Sequence, residues 1–103
     1  MIKEPYSSMI RCGEKTIETR TWTTDYRGKL LLCCSKNPPS AISGKAFAIA
    51  DLVDVRPMTK ADEFKARCQV YPNAYSWVLQ NIKLIKLFPV EGQLGLFEVD
   101  YNG

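Results

Sequence analysis

Residues 29–35 read KLLLCCS, and this run constrains the fold more than any other stretch of the chain. It is apolar without interruption and too short for a buried helix, so it reads as a strand covered on both faces. The rest of the chain has to supply that cover. At 103 residues, 46% of them hydrophobic, it is long enough for one core and one domain over residues 1–103.

The neighbouring segments alternate β-runs with two short helices. Residues 5–12 form a helix, with Pro5 in its first turn, an apolar stripe of Tyr6, Met9 and Ile10, and Gly13 as its cap. A strand follows over 15–22. Residues 23–28 (TTDYRG) turn, and 36–44 (KNPPSAISG) loop. In the strand 46–55 (AFAIADLVDV), Phe47, Ile49, Asp51, Val53 and Val55 share one face. Ala46, Ala48 and Ala50 on the other face imply close packing there. Residues 58–68 read as a helix, with Thr59 as N-cap and Asp62 at the capping-box position.

Residues 75–79 (YSWVL) form a strand with Tyr75, Trp77 and Leu79 on one side. The pattern over 81–88 is ambiguous, residues 89–92 break it, and 94–101 form a last strand. No βαβ rhythm is present. The expectation is an α+β, mostly β chain: a mainly antiparallel sheet of about five to six strands, curled into a barrel, with two or three short helices over its ends.

Charge and composition exclude several classes of chemistry. Fourteen basic and eleven acidic residues leave a net charge of +3, which permits an anionic partner without requiring one. There is no histidine, so the commonest general base and metal ligand is missing. Cys12, Cys33, Cys34 and Cys68 show no Cys-x-x-Cys spacing and read as reduced, small apolar residues of a cytoplasmic protein. No signal peptide, membrane span, metal cluster or phosphate-binding glycine loop is visible, and no cofactor is expected.

The segment GEKTIETRTW, residues 13–22, carries the densest chemistry. At period two, Ile17, Thr19 and Thr21 face one way. Thr16, Glu18, Arg20 and Trp22 face the other. A glutamate can accept from an exocyclic amine, as carboxylates do from cytosine N4. Arg20 can hold that carboxylate. Lys15, at the helix-to-strand junction, can reach a carbonyl or phosphate. Trp22, Tyr26, Tyr75 and Trp77 are core or core-rim aromatics by type, or stacking surfaces for an unpaired base. Arg27, Ser35 and Lys36 could contact phosphate or ribose, or serve only as polar turn and strand ends. Asp51 and Asp54 point apart and do not form a carboxylate pair.

The helix followed by Gly13, Lys15, Glu18 and Arg20 resembles the G-x-K-x-x-E-x-R signature of ASCH domains (activating-signal-cointegrator homology). Trp22, the Tyr26-Arg27-Gly28 turn, Leu30 to Leu32, Ser35-Lys36, residues 50–54 and residues 75–79 with 88–92 continue the resemblance in order. It implies a PUA-like pseudo-barrel with a ligand cleft beside the first helix and first strand. It also implies a partner that is RNA or a modified nucleobase or nucleoside, bound by Lys15, Glu18, Arg20, Trp22, Tyr26, Arg27, Ser35 and Lys36.

Some members of that family are metal-independent hydrolases: amidohydrolases of N4-acylated cytidine, or ribonucleases. The amidohydrolases use a lysine, a threonine and a glutamate. Lys15 aligns with the lysine, and Glu18 stands at the threonine position, so an enzyme would use Lys15 and Glu18. Asp62 and Glu63 lie near the place of the glutamate. A third class is a protein–protein module, for which residues 82–88 would have to expose an apolar patch.

Overall fold

The computed structural model describes residues 1–90. The expected strand over 94–101 and the end of the break over 89–92 lie outside the described residues. In chain order the elements are α1 (Tyr6–Arg11), β1 (Ile17–Arg20), β2 (Gly28–Cys33), β3 (Lys45–Pro57), a 3-10 turn (Lys60–Asp62), α2 (Glu63–Ala66) and β4 (Tyr75–Pro89). The chain is a small α+β protein, mostly β, with one antiparallel sheet in the order β1-β4-β3-β2.

Helix α1 ends where the apolar stripe ends. Gly13 takes φ +85 and donates to the Ile10 carbonyl at 3.1 Å, a conformation that a side chain would strain. Thr59 and Asp62 form the expected box: the Thr59 amide donates to Asp62 Oδ2 at 3.2 Å. The helix after it is much shorter than residues 58–68 suggest. A 3-10 turn precedes four α-helical residues, and Arg67 ends them in the left-handed region at φ 57. Carbonyls of that last turn, those of Lys65 and Ala66, are bonded by Thr16 and Lys15.

Among the described residues there are four strands, because 75–79 and 81–88 are one strand. Its halves are joined by a bulge. Gln80 pairs with Asp51 and Lys83 with Ile49, so Asn81 and Ile82 sit opposite Ala50. Asn81 absorbs the extra residue at φ 52, and its side-chain Nδ2 donates to Asp51 Oδ2 at 2.8 Å. A second irregularity, between Ala46 and Ala48, turns Phe47 inward, so it is fully buried although simple alternation sets it apart from the alanines. Val53 is the extra residue of a third and stands 41% exposed.

The main core lies on the inner face of the sheet. It joins Leu30, Leu32, Phe47, Ala48, Ala50, Leu52, Trp77 and Leu79 to Ile2, Ile10 and Ile42. Each large side chain buried there contributes about 1.5–3 kcal/mol. The small alanines of β3 leave room for Phe47 and Trp77 in this cluster. A second cluster, Ile17, Met58, Ala66 and Ala74, lies where α2 covers the other face of β1.

The two edges of the sheet are β1 and β2, and the first two residues link them. Ile2 donates to Cys33 O at 2.7 Å and accepts from the Ser35 amide at 2.9 Å, extending the edge of β2. Met1 O accepts from Arg20 Nη2 of β1 at 3.0 Å.

Candidate functional site

A narrow cleft opens where the two sheet edges face each other. Glu18, Arg20 and Trp22 supply one wall, Leu30, Leu31, Leu32 and Cys33 of β2 the other. Trp77 and Leu79 of β4 form the floor, with Met1 and Ile2 at one end. Its volume is about 60 Å³. The cleft is therefore the seam of a curled sheet.

Strand β1 builds its wall by alternation. Ile17 turns into the cluster under α2, and Glu18 turns inward. Glu18 pairs directly with Trp77 across the strands, and Arg20 with Tyr75, so these neighbours share one face. Glu18 is 9% exposed. Its Oε2 lies 3.1 Å from Arg20 Nη1, and its Oε1 accepts the Thr19 amide at 3.0 Å and lies 3.5 Å from Lys15 Nζ. Arg20 also donates to the carbonyls of Thr19 and Met1, so its guanidinium is fixed by three partners.

The tryptophans meet edge to face. Ring centroids are 4.7 Å apart at 76°, and Trp77 Nε1 donates to Trp22 O at 3.2 Å. Trp77 is buried and Trp22 is 38% exposed, so Trp22 is the part of the pair open to solvent.

Opposite them, β2 presents main chain. Cys34 bonds toward β3, while Cys33 and Ser35 bond toward Ile2. Leu31 lies in the same wall, one register shift away from Cys33.

Lys15 does not line the cleft. It is 1% exposed, beneath Glu18, with Nζ donating to the Ala66 carbonyl at 2.5 Å and lying 4.8 Å from the centre of the Tyr6 ring. Burial pushes its ammonium below the ordinary lysine value. Glu18 and Cys68 oppose that shift, and Arg20 adds to it. Two further bonds run beside it: Thr16 N to Lys65 O at 3.0 Å and Arg67 Nε to Glu14 O at 2.8 Å. Residues 14–16 thus clasp residues 65–67, and Lys15 satisfies a carbonyl at the end of α2.

The structure does not bring the remaining expected residues to the cleft walls. Tyr26 folds over Gly28 and donates to Lys29 O at 2.6 Å. Arg27 caps its own turn through the carbonyls of Thr24 and Tyr26. The Ser35 side chain accepts from the Asn37 amide at 3.5 Å, and the Lys36 stem lies against Gly44. Neither Asp62 nor Glu63 supplies a carboxylate to Lys15. Asp62 accepts from Ser76, Arg56 and Thr59, and Glu63 from the Val70 amide.

The lining residues not singled out in the sequence are Leu30 to Cys33 as a wall, with Leu79, Met1 and Ile2. The shared side of Tyr75, Trp77 and Leu79 was the available signal for the floor. The opposed edge depends on the curl of the sheet, which no local pattern encodes.

The ASCH domain family model matches residues 1–89. The chain belongs to the ASCH domain family. No curated protein matches it. In this ASCH domain the signature residues divide their work: Gly13 ends α1, Lys15 clasps α2, and Glu18 and Arg20 face the seam. Among the described residues, no three histidine, cysteine, aspartate or glutamate side chains gather to hold a metal ion, and no helix is long and apolar enough to cross a membrane.

Proposed function

We propose that this ASCH domain binds RNA, or a modified nucleobase or nucleoside, by taking one base edge-on into the seam. The observation that carries this reading is the Glu18 carboxylate, nearly buried between two cations and opening onto a slot with indole at its side. A carboxylate so placed accepts from the exocyclic amine of a base, and an amine donor arriving there restores the hydrogen bonds it leaves in water. Trp22 stacks on the base. Lys15 acts through Glu18, by orienting it, and does not touch the ligand.

The same reading takes the curled sheet, with its edges linked by Met1 and Ile2, as a pseudo-barrel. It takes the free cysteines as fitting the reducing cytoplasm. Fluorescence titration with modified nucleosides and short single strands tests the function. Saturable quenching of the tryptophans is expected in wild type and is lost in Glu18→Ala; binding untouched by that substitution rejects the reading.

A hydrolase is the second reading: burial lowers the Lys15 ammonium, the direction a catalytic lysine requires, and this reading needs the Nζ to leave the Ala66 carbonyl to reach the cleft. Purified protein would then release acyl groups from N4-acetylcytidine, or cleave RNA, without added metal. Equal turnover by wild type and Lys15→Ala removes it.

A further inference from the structure

Phe64 projects from α2 with 72% of its surface exposed, more than any other large apolar side chain among the described residues. It belongs to neither core cluster. One face of its ring is covered by a cation: the guanidinium carbon of Arg67 lies 4.4 Å from the ring centre. Arg67 is held in that position by its left-handed backbone and by its bond to Glu14 O. Most of the rest of the side chain is in solvent.

The surroundings favour an anion. Lys60 and Lys65 are exposed beside Phe64, and Arg67 is half-buried under it. Of the carboxylates around this surface, Asp62 is buried in its network with Arg56 and Ser76, Glu63 accepts the Val70 amide, and Glu14, whose main chain holds Arg67, is exposed. Lys60, Lys65 and Arg67 thus outnumber the two acids left near them, Glu14 and Glu63. An exposed aromatic ring with a guanidinium over one face, on a short helical segment that also exposes Lys60 and Lys65, is the composition that takes an unpaired base with its phosphates.

We propose that the surface of α2 and Arg67 is a second contact site for single-stranded RNA. Phe64 stacks on a base, and Arg67, Lys65 and Lys60 meet the backbone. This rests on the reading that the seam takes a base, and it selects a polynucleotide over a free nucleoside as the ligand. Helix α2 covers the Ile17 face of β1, while the seam lies on the Glu18 face. A strand that touches both sites passes around β1, which a mononucleotide cannot do.

The test compares a labelled single-stranded oligocytidylate with cytidine monophosphate, on wild type, Phe64→Ala, Phe64→Trp and Glu18→Ala. Because Phe64 is exposed and outside the core, its variants fold, which circular dichroism checks. Phe64→Ala is expected to weaken the oligonucleotide by about tenfold and Phe64→Trp to retain it, with monophosphate binding equal in all three. Equal oligonucleotide affinity in wild type and Phe64→Ala overturns the proposal. So does self-association that depends on Phe64 without RNA binding. Glu18→Ala separates the two readings: oligonucleotide binding that needs Phe64 and not Glu18 supports this site and removes the seam, and dependence on Glu18 alone does the reverse.

Discussion

Lys15 donates to the main-chain oxygen of Ala66 across 51 residues of sequence, and this bond joins the end of α2 to the start of β1. Its chemistry has a measurable signature in pH. The ordinary lysine value is 10.5, and burial lowers that of Lys15 in the folded chain. Between the lowered value and 10.5 the unfolded chain holds more protons than the folded one, so stability rises with pH through that window. Lys15→Met should lose about 2 kcal/mol near neutral pH, because Ala66 O and Glu18 lose a donor. Urea unfolding followed from neutral pH up to 10.5 should show wild type gaining on the variant. A gap that narrows instead would show that the ammonium is net stabilised by Glu18.

Asp62 behaves in the opposite sense. Burial raises its carboxyl, but hydrogen bonds from Ser76 and Thr59 and the Arg56 guanidinium outweigh burial and hold it below the ordinary 3.8. Its contribution is complete above 3.8 and is lost as pH falls through the lowered folded value. Asp62→Asn should cost about 2 kcal/mol at neutral pH, with the gap to wild type closing in strong acid. Denaturant melts over that range check both the size and the direction.

Arg20 ties the edge of β1 to Met1. Arg20→Gln should lower global stability only modestly, by about 1 kcal/mol, since the side chain is partly in water. Its larger effect should be local: the amides of Ile2 and Ser35 should exchange hydrogen faster while those of β3 are unchanged. Uniform acceleration across the sheet would contradict the linking role.

Gly28 has φ +141, and a Cβ there would stand 2.9 Å from the Tyr26 hydroxyl. Gly28→Ala should cost about 1–3 kcal/mol. Adding Tyr26→Phe should recover only part of that in thermal melts, because the backbone strain remains after the contact is relieved.

Local chemistry accounts for what the sequence made legible. The stripe of Tyr6, Met9 and Ile10 with Gly13 behind it marks α1, the spacing of Thr59 and Asp62 marks a cap, and the period of two separates Ile17 from Glu18. The features missed all depend on distant partners. Helix α2 is short where its last carbonyls are bonded by Lys15 and Thr16, some fifty residues away in sequence. Residues 75–89 are one strand because Asn81 accepts a left-handed bulge opposite Ala50, a matter of pairing and not of composition. Lys15 reads as a surface charge until Tyr6, Glu18 and Ala66 are seen to enclose it. Leu31 reads as core until the curl of the sheet brings it to the same cleft as Glu18.

The link made by Met1 and Ile2 also bears on solubility. An uncovered strand edge recruits other chains, and here β2 would be such an edge over the residues that Ile2 pairs. The same short segment closes one end of the seam. A ligand too large for the slot could gain room by displacing it, but only by baring that edge. Room in the cleft and cover for that edge are thus drawn from the same two residues.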